Sequence, residues 1–181
     1  MRSFTVDVEG KGSPVILIPG LGCSAEVWSE TAAHLQGKGF QTHALTIAGF
    51  GGTKPITSDH LLNTVRDDLA TYITQNKLGH PVVIGHSLGG FVALSLAAEH
   101  PDLPGKVISV DGLPYLPVMM NPTITPEGAR NMAAGMKAQM MAPQSDEKQR
   151  ESARETLGAM ITSPENIDRE MRSICKRIRV R

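Results

Sequence analysis

The chain has 181 residues, 40% of them apolar, which is enough to bury one good core and leads to the expectation of a single domain. Its 18 Lys and Arg balance 18 Asp and Glu, and a formal net charge of zero argues against the basic face that a nucleic-acid partner requires. Two cysteines, Cys23 and Cys175, are too far apart for a disulfide framework or a metal signature, and no apolar run approaches the length of a membrane span.

In chain order, Phe4 to Val8 alternates and predicts an early antiparallel strand, whereas Val15 to Ile18 is continuously apolar and predicts a central one. Ala25-Glu26-Val27-Trp28 opens a helix predicted to run to about Gln36, where Gly37-Lys38-Gly39 stops it. Phe40 to Ile47 is the next strand, and Ala48 to Pro55 is a glycine-rich loop. Leu62, Val65, Leu69, Tyr72 and Ile73 recur at helical spacing and predict an amphipathic helix over 59–76. Asp67 and Asp68 on it read as a solvated face, and His34, His43, His60 and His80 as surface or helix-end residues. After the elbow region described next, Lys106 to Asp111 is a further strand. Strands alternating with helices predict an α/β fold, a mostly parallel sheet with helices on both faces.

The most informative segment is Gly85-His86-Ser87-Leu88-Gly89, which follows the apolar run Pro81 to Ile84 and precedes the helical Phe91 to Ala98. A serine between glycines, at the point where a strand turns into a helix, is the pattern of a nucleophile elbow. The flanking glycines leave room for a backbone that side chains would crowd. His86 points away from its neighbour in such a turn and reads as a packed, hydrogen-bonded residue.

With Val15 to Gly22 ahead of it and the glycine loop between, the elbow makes residues 1 to about 117 resemble the α/β-hydrolase fold, with Pro19 standing where the family usually has histidine before Gly20. The resemblance implies a serine hydrolase acting on carboxylic esters, with Ser87 as nucleophile and the backbone N–H groups of Leu21 and Leu88 as the oxyanion hole. It implies no metal and no organic cofactor. The partner it implies is a small-molecule ester.

Beyond Gly112-Leu113-Pro114-Tyr115-Leu116-Pro117 the texture changes, and every methionine except Met1 appears there. Three capped helices are predicted, starting near Thr125, Ser145 and Ser163. The resemblance divides the chain into an incomplete hydrolase core over 1–117 and a helical cap segment over 118–181, within which the chain is expected to end. Met132, Met136 and Met140 share one face of the first cap helix and read either as core packing or as an adaptable acyl-binding roof. The basic run from Lys176 to Arg181 reads as a solvated helix end.

In this arrangement the acid and histidine follow the serine. The only later histidine, His100, ends the helix that starts at the elbow, and at about 1.5 Å per residue it stands roughly 20 Å away. Asp111 follows the strand where a few hydrolases of this fold carry the acid; its plainer role is to end the strand with Gly112. Three readings stay open: a functioning ester hydrolase, a truncated and catalytically impaired fragment, and a binding protein that keeps the pocket. The strand from Lys106 to Asp111 is expected to be a bare edge, so a homo-oligomer formed through it or through the cap helices is expected, in a soluble protein of cytoplasmic or secreted origin.

Overall fold

A computed structural model describes residues 3–112, 121–141 and 151. The chain divides into two compact units, Met1–Pro114 and Tyr115–Arg181.

The first unit holds a five-stranded sheet: β1 (Phe4–Gly10), β2 (Ser13–Ile18), β3 (Phe40–Ile47), β4 (Val82–His86) and β5 (Lys106–Val110). The spatial order is β1-β3-β2-β4-β5, with β1 antiparallel to β3 and every other pair parallel. The expected early antiparallel strand is present and runs two residues further, its Gly10 pairing with Gln41.

Period-two alternation sends the two sides of each central strand into different layers. Ile16 and Ile18 of β2 join Leu45, Ile47 and Val83 against α2 (Leu61–Gln75) and α3 (Leu88–Glu99), where Val65, Leu69, Val92 and Leu96 are fully buried. Val15 and Leu17 face the other way, against Trp28 and against Ala32 of α1 (Ser29–Gly37). Both faces of β2 are therefore dry, which is why its sequence is continuously apolar.

Three expectations need correction. The helix expected from Ala25 begins as a separate 3-10 turn, Ala25–Trp28, because the Ala25 N–H is held at 2.8 Å by Thr46 Oγ1 while Trp28 anchors in the core. The helix expected over 59–76 is Leu61–Gln75: His60 is non-helical, and its N–H donates to Ser58 Oγ, which also pairs with Thr64 Oγ1. His43 is a core residue, since β3 turns it inward, where its Nδ1 lies 2.7 Å from Tyr72 Oη and its Nε2 3.1 Å from Gln41 Oε1. Burial holds this imidazole's pKa below its ordinary value.

The acidic pair on α2 is also more engaged than a solvated face. Asp68 accepts the Ser3 N–H at 2.7 Å, tying the start of β1 to the helix. Asp67 pairs with Arg66 at 2.8 Å, which holds its carboxyl below the usual carboxylate range, and lies 3.8 Å from His100.

The edge strand differs from the rest. Val107 packs into the α2/α3 layer, while Ile108 and Val110 on the opposite face are 46% and 43% exposed. In the second unit the described helix is α4 (Pro126–Met141), whose first turn is held by the Thr125 hydroxyl accepting the Gly128 N–H. Residues 113–120, the expected helices beginning near Ser145 and Ser163, and Cys175 lie outside the described residues. No helix among the described residues is long and apolar enough to cross a membrane.

Candidate active site

Between β4 and α3 the chain reverses at Ser87, whose φ of 51° and ψ of −115° form a conformation that a non-glycine residue rarely adopts. Neighbouring contacts impose it. The Ser87 N–H donates to Val110 O at 2.9 Å, and the Ser87 carbonyl accepts from Gly90 N at 2.9 Å and Phe91 N at 3.2 Å, starting the helix. A Cβ on Gly85 would run into the Gly89 backbone, and one on Gly89 into the Ile18 carbonyl. The glycine spacing in the sequence thus reflects two close backbone crossings.

The turn after β2 lies beside this serine. A Cβ placed on Gly20 would stand 3.5 Å from Ser87 Cβ and 3.1 Å from His86 Nδ1, so the Gly20 backbone runs past Ser87. Leu21 follows Gly20 and Leu88 follows Ser87. Neither residue's N–H donates to any described residue. An N–H that no described residue accepts is available to an oxygen that gains negative charge; the Leu88 group is also the first of a helix N-terminus, where anions are favoured.

Leu21 and Leu88 both line a cavity of about 540 Å³. Phe50, Leu61, Leu62 and Phe91 extend its apolar lining, and Asp59, His60 and Asn63 add polar groups. Phe50 is held by its loop. Thr53 Oγ1 lies 2.7 Å from Phe50 O and 3.1 Å from Ile47 O and accepts the Gly49 N–H at 3.1 Å, while the Thr53 N–H returns to Phe50 O at 2.9 Å. The start of α2 is the part of the lining that residue types alone had not singled out. The available signal was position: a helix beginning directly after the glycine loop that rims the site.

The proton-transfer partners are a different matter. All six histidines are described, and none hydrogen-bonds Ser87, whose Oγ makes no capping bond on α3. His86 is exposed and its ring makes no hydrogen bond to a described residue, so the packed, hydrogen-bonded role expected for it is not observed; the turn leaves its ring beside Gly20, which has no side chain to pack against it. Asp111, just past β5 at φ 50°, is exposed and bonds none of the histidines. Met132 is half-buried on α4, while the side chains of Met136 and Met140 lie outside the described residues.

The sequence pattern of the alpha/beta hydrolase fold matches residues 13–155. Over 115 residues the chain is 32% identical to a 2-(acetamidomethylene)succinate hydrolase of Mesorhizobium japonicum, a match taking in 62% of this chain and 41% of that protein. Over 107 residues it is 28% identical to a pimeloyl-[acyl-carrier protein] methyl ester esterase of Vibrio cholerae, covering 59% and 40% respectively. The chain thus spans about two fifths of the length of these relatives. Among solved structures, a marine microorganism esterase superposes with a TM-score of 0.64 over 97% of this chain and 64% of its own, at 23% identity. An esterase from Exiguobacterium antarcticum gives 0.56 over 60% and 41%, also at 23%. At these identities the likeness is one of fold.

Proposed function

We propose, from the premise that the chain belongs to the α/β-hydrolase fold family, that it carries the nucleophile and oxyanion half of a serine hydrolase acting on carboxylic esters. Ser87 Oγ attacks the ester carbonyl, a C–O bond forms, and the carbonyl oxygen takes the charge between the Leu21 and Leu88 N–H groups. The alcohol leaves with the proton that the serine gave up, and water then releases the acid from the acyl-serine. What supports this reading is that a serine held at φ 51° is followed by Leu88, and that neither the Leu88 nor the Leu21 N–H donates to a described residue while both residues line one cavity. Two relatives named as an esterase and a hydrolase agree with it. In the same reading Asp111 is the candidate acid.

A second reading, a pocket-retaining protein with impaired catalysis, is favoured by one observation: no histidine lies within hydrogen-bond reach of Ser87. Histidine contacts in unliganded sites are often long, so the two readings separate by rate. With the oxyanion hole and binding alone, acceleration over water is on the order of 10³ to 10⁴. Turnover of p-nitrophenyl butyrate by the purified chain, compared with Ser87→Ala, decides between them. Weak turnover lost in Ser87→Ala supports the hydrolase half. Tens of turnovers per second that depend on Ser87 reveal a base, which a scan of the six histidines would locate, and equal rates in both proteins end the hydrolase reading.

A further inference from the structure

The cavity lined by Leu21 and Leu88 is not uniform. Phe50, Leu61, Leu62, Leu88 and Phe91 are half-buried and form an apolar interior, whereas Asp59, His60 and Asn63 are exposed and cluster where the chain enters α2. At about 540 Å³ it falls within the range of about 300 to 1,000 Å³ that small-molecule sites occupy. A ligand with its carbonyl at the Leu21 and Leu88 N–H groups shares this cavity with the apolar side chains and with the polar cluster.

The chemistry of that cluster is one of acceptance. Asp59 offers a carboxylate that accepts hydrogen bonds and repels anions, Asn63 a neutral amide, and His60 a ring whose nitrogens accept or donate. A hydroxyl or ammonium reaching these residues finds acceptors, while a carboxylate meets a like charge. Resting on the ester-hydrolase reading for the position of the carbonyl, we propose that the cavity selects acyl groups with an apolar body and a hydrogen-bond-donating end, and discriminates against those ending in a carboxylate. Because Asp59 is exposed, solvent screens it and the discrimination is modest and salt-dependent.

Three six-carbon primary amides test this without requiring catalysis: 6-aminohexanamide, 6-hydroxyhexanamide and adipic acid monoamide, titrated at pH 8 and low salt while the backbone amide signals of Leu21, Phe50, Leu88 and Phe91 are followed by NMR. The ammonium- and hydroxyl-ended amides are expected to bind about threefold or more tightly than the carboxylate-ended one, and Asp59→Asn, an exposed and isosteric change, is expected to close that gap. Equal or tighter binding of the carboxylate-ended amide to the unsubstituted chain, or shifts that map elsewhere, overturns the proposal. Turnover of the matching p-nitrophenyl esters reports separately on the hydrolase reading. Selective binding without Ser87-dependent turnover keeps the cavity assignment and removes the chemistry, whereas turnover with no end-group preference in binding overturns the assignment alone.

Discussion

The backbone N–H of Ser87 donates to the carbonyl of Val110 at 2.9 Å, so the elbow is bonded to the last residue of the edge strand as well as to its own helix. The next turn reinforces this link. Ser109 Oγ donates to Gly112 O at 3.1 Å, and a Cβ on Gly112 would lie 2.8 Å from Gly90 Cα and 3.0 Å from Ser87 O.

Gly112→Ala is therefore expected to push β5 away from the elbow. Overpacking of this kind costs about 1 to 3 kcal/mol, and although the Ser109 hydroxyl beside it could rotate, the Gly90 and Ser87 backbone atoms cannot. Urea unfolding is expected to show the loss, with any Ser87-dependent ester turnover falling too. Stability unchanged within error would mean that the turn relaxes freely and does not hold the serine.

Ser87→Gly is expected to do the opposite to stability. A residue held at φ 51° and ψ −115° stores on the order of 1 to 3 kcal/mol of strain, which glycine releases. The variant is expected to unfold at higher urea than the parent while losing every Ser87-dependent reaction. Ser87→Ala keeps the Cβ and is expected to show no such gain.

His43 makes folding sensitive to acid. Its folded-state pKa is lowered from 6.5 by burial, so between that lowered value and 6.5 the unfolded chain binds the proton that the folded chain refuses. Its contribution is fully present above about 6.5 and is lost as pH falls through the window below it. The unfolding free energy of the parent is expected to drop from pH 8 to pH 5 by more than that of His43→Gln, which has no proton to gain. Parallel pH profiles would show that His43 is not the sensor.

The uncovered face of β5 is expected to bring two copies of the chain together. Ile108 and Val110 are exposed beside a strand side that pairs with no strand among the described residues. Light scattering at micromolar concentration is expected to give a dimer or larger species, and Ile108→Lys, placed at an exposed position, to shift it toward monomer. A parent chain that is monomeric throughout contradicts this.

Much of this was legible from residues because it is local. The elbow could be read since Gly85 and Gly89 fall within five residues of chain around Ser87, and β2 since both of its faces are buried. What escaped was decided by pairing across long stretches. His43 meets Tyr72 29 residues away, and Asp68 meets the Ser3 N–H 65 residues away, so neither residue's own neighbourhood in the sequence shows that it has a partner. The Thr46 hydroxyl that takes the Ala25 N–H, 21 residues away, likewise turned the first part of an expected helix into a tighter turn. The polar cluster at the start of α2 joins the cavity only because the sheet order brings that helix beside α3.

Thr53 carries a last consequence. One hydroxyl meets three backbone groups of the loop that presents Phe50, so this wall of the cavity is already ordered before anything enters. A ligand that settles against Phe50 spends none of its interaction energy on freezing the loop, and shape at this wall becomes a matter of fit rather than adaptation. Loosening it, as Thr53→Ala would, is expected to slow capture and broaden what is accepted, converting a fixed mould into one that each guest must set for itself.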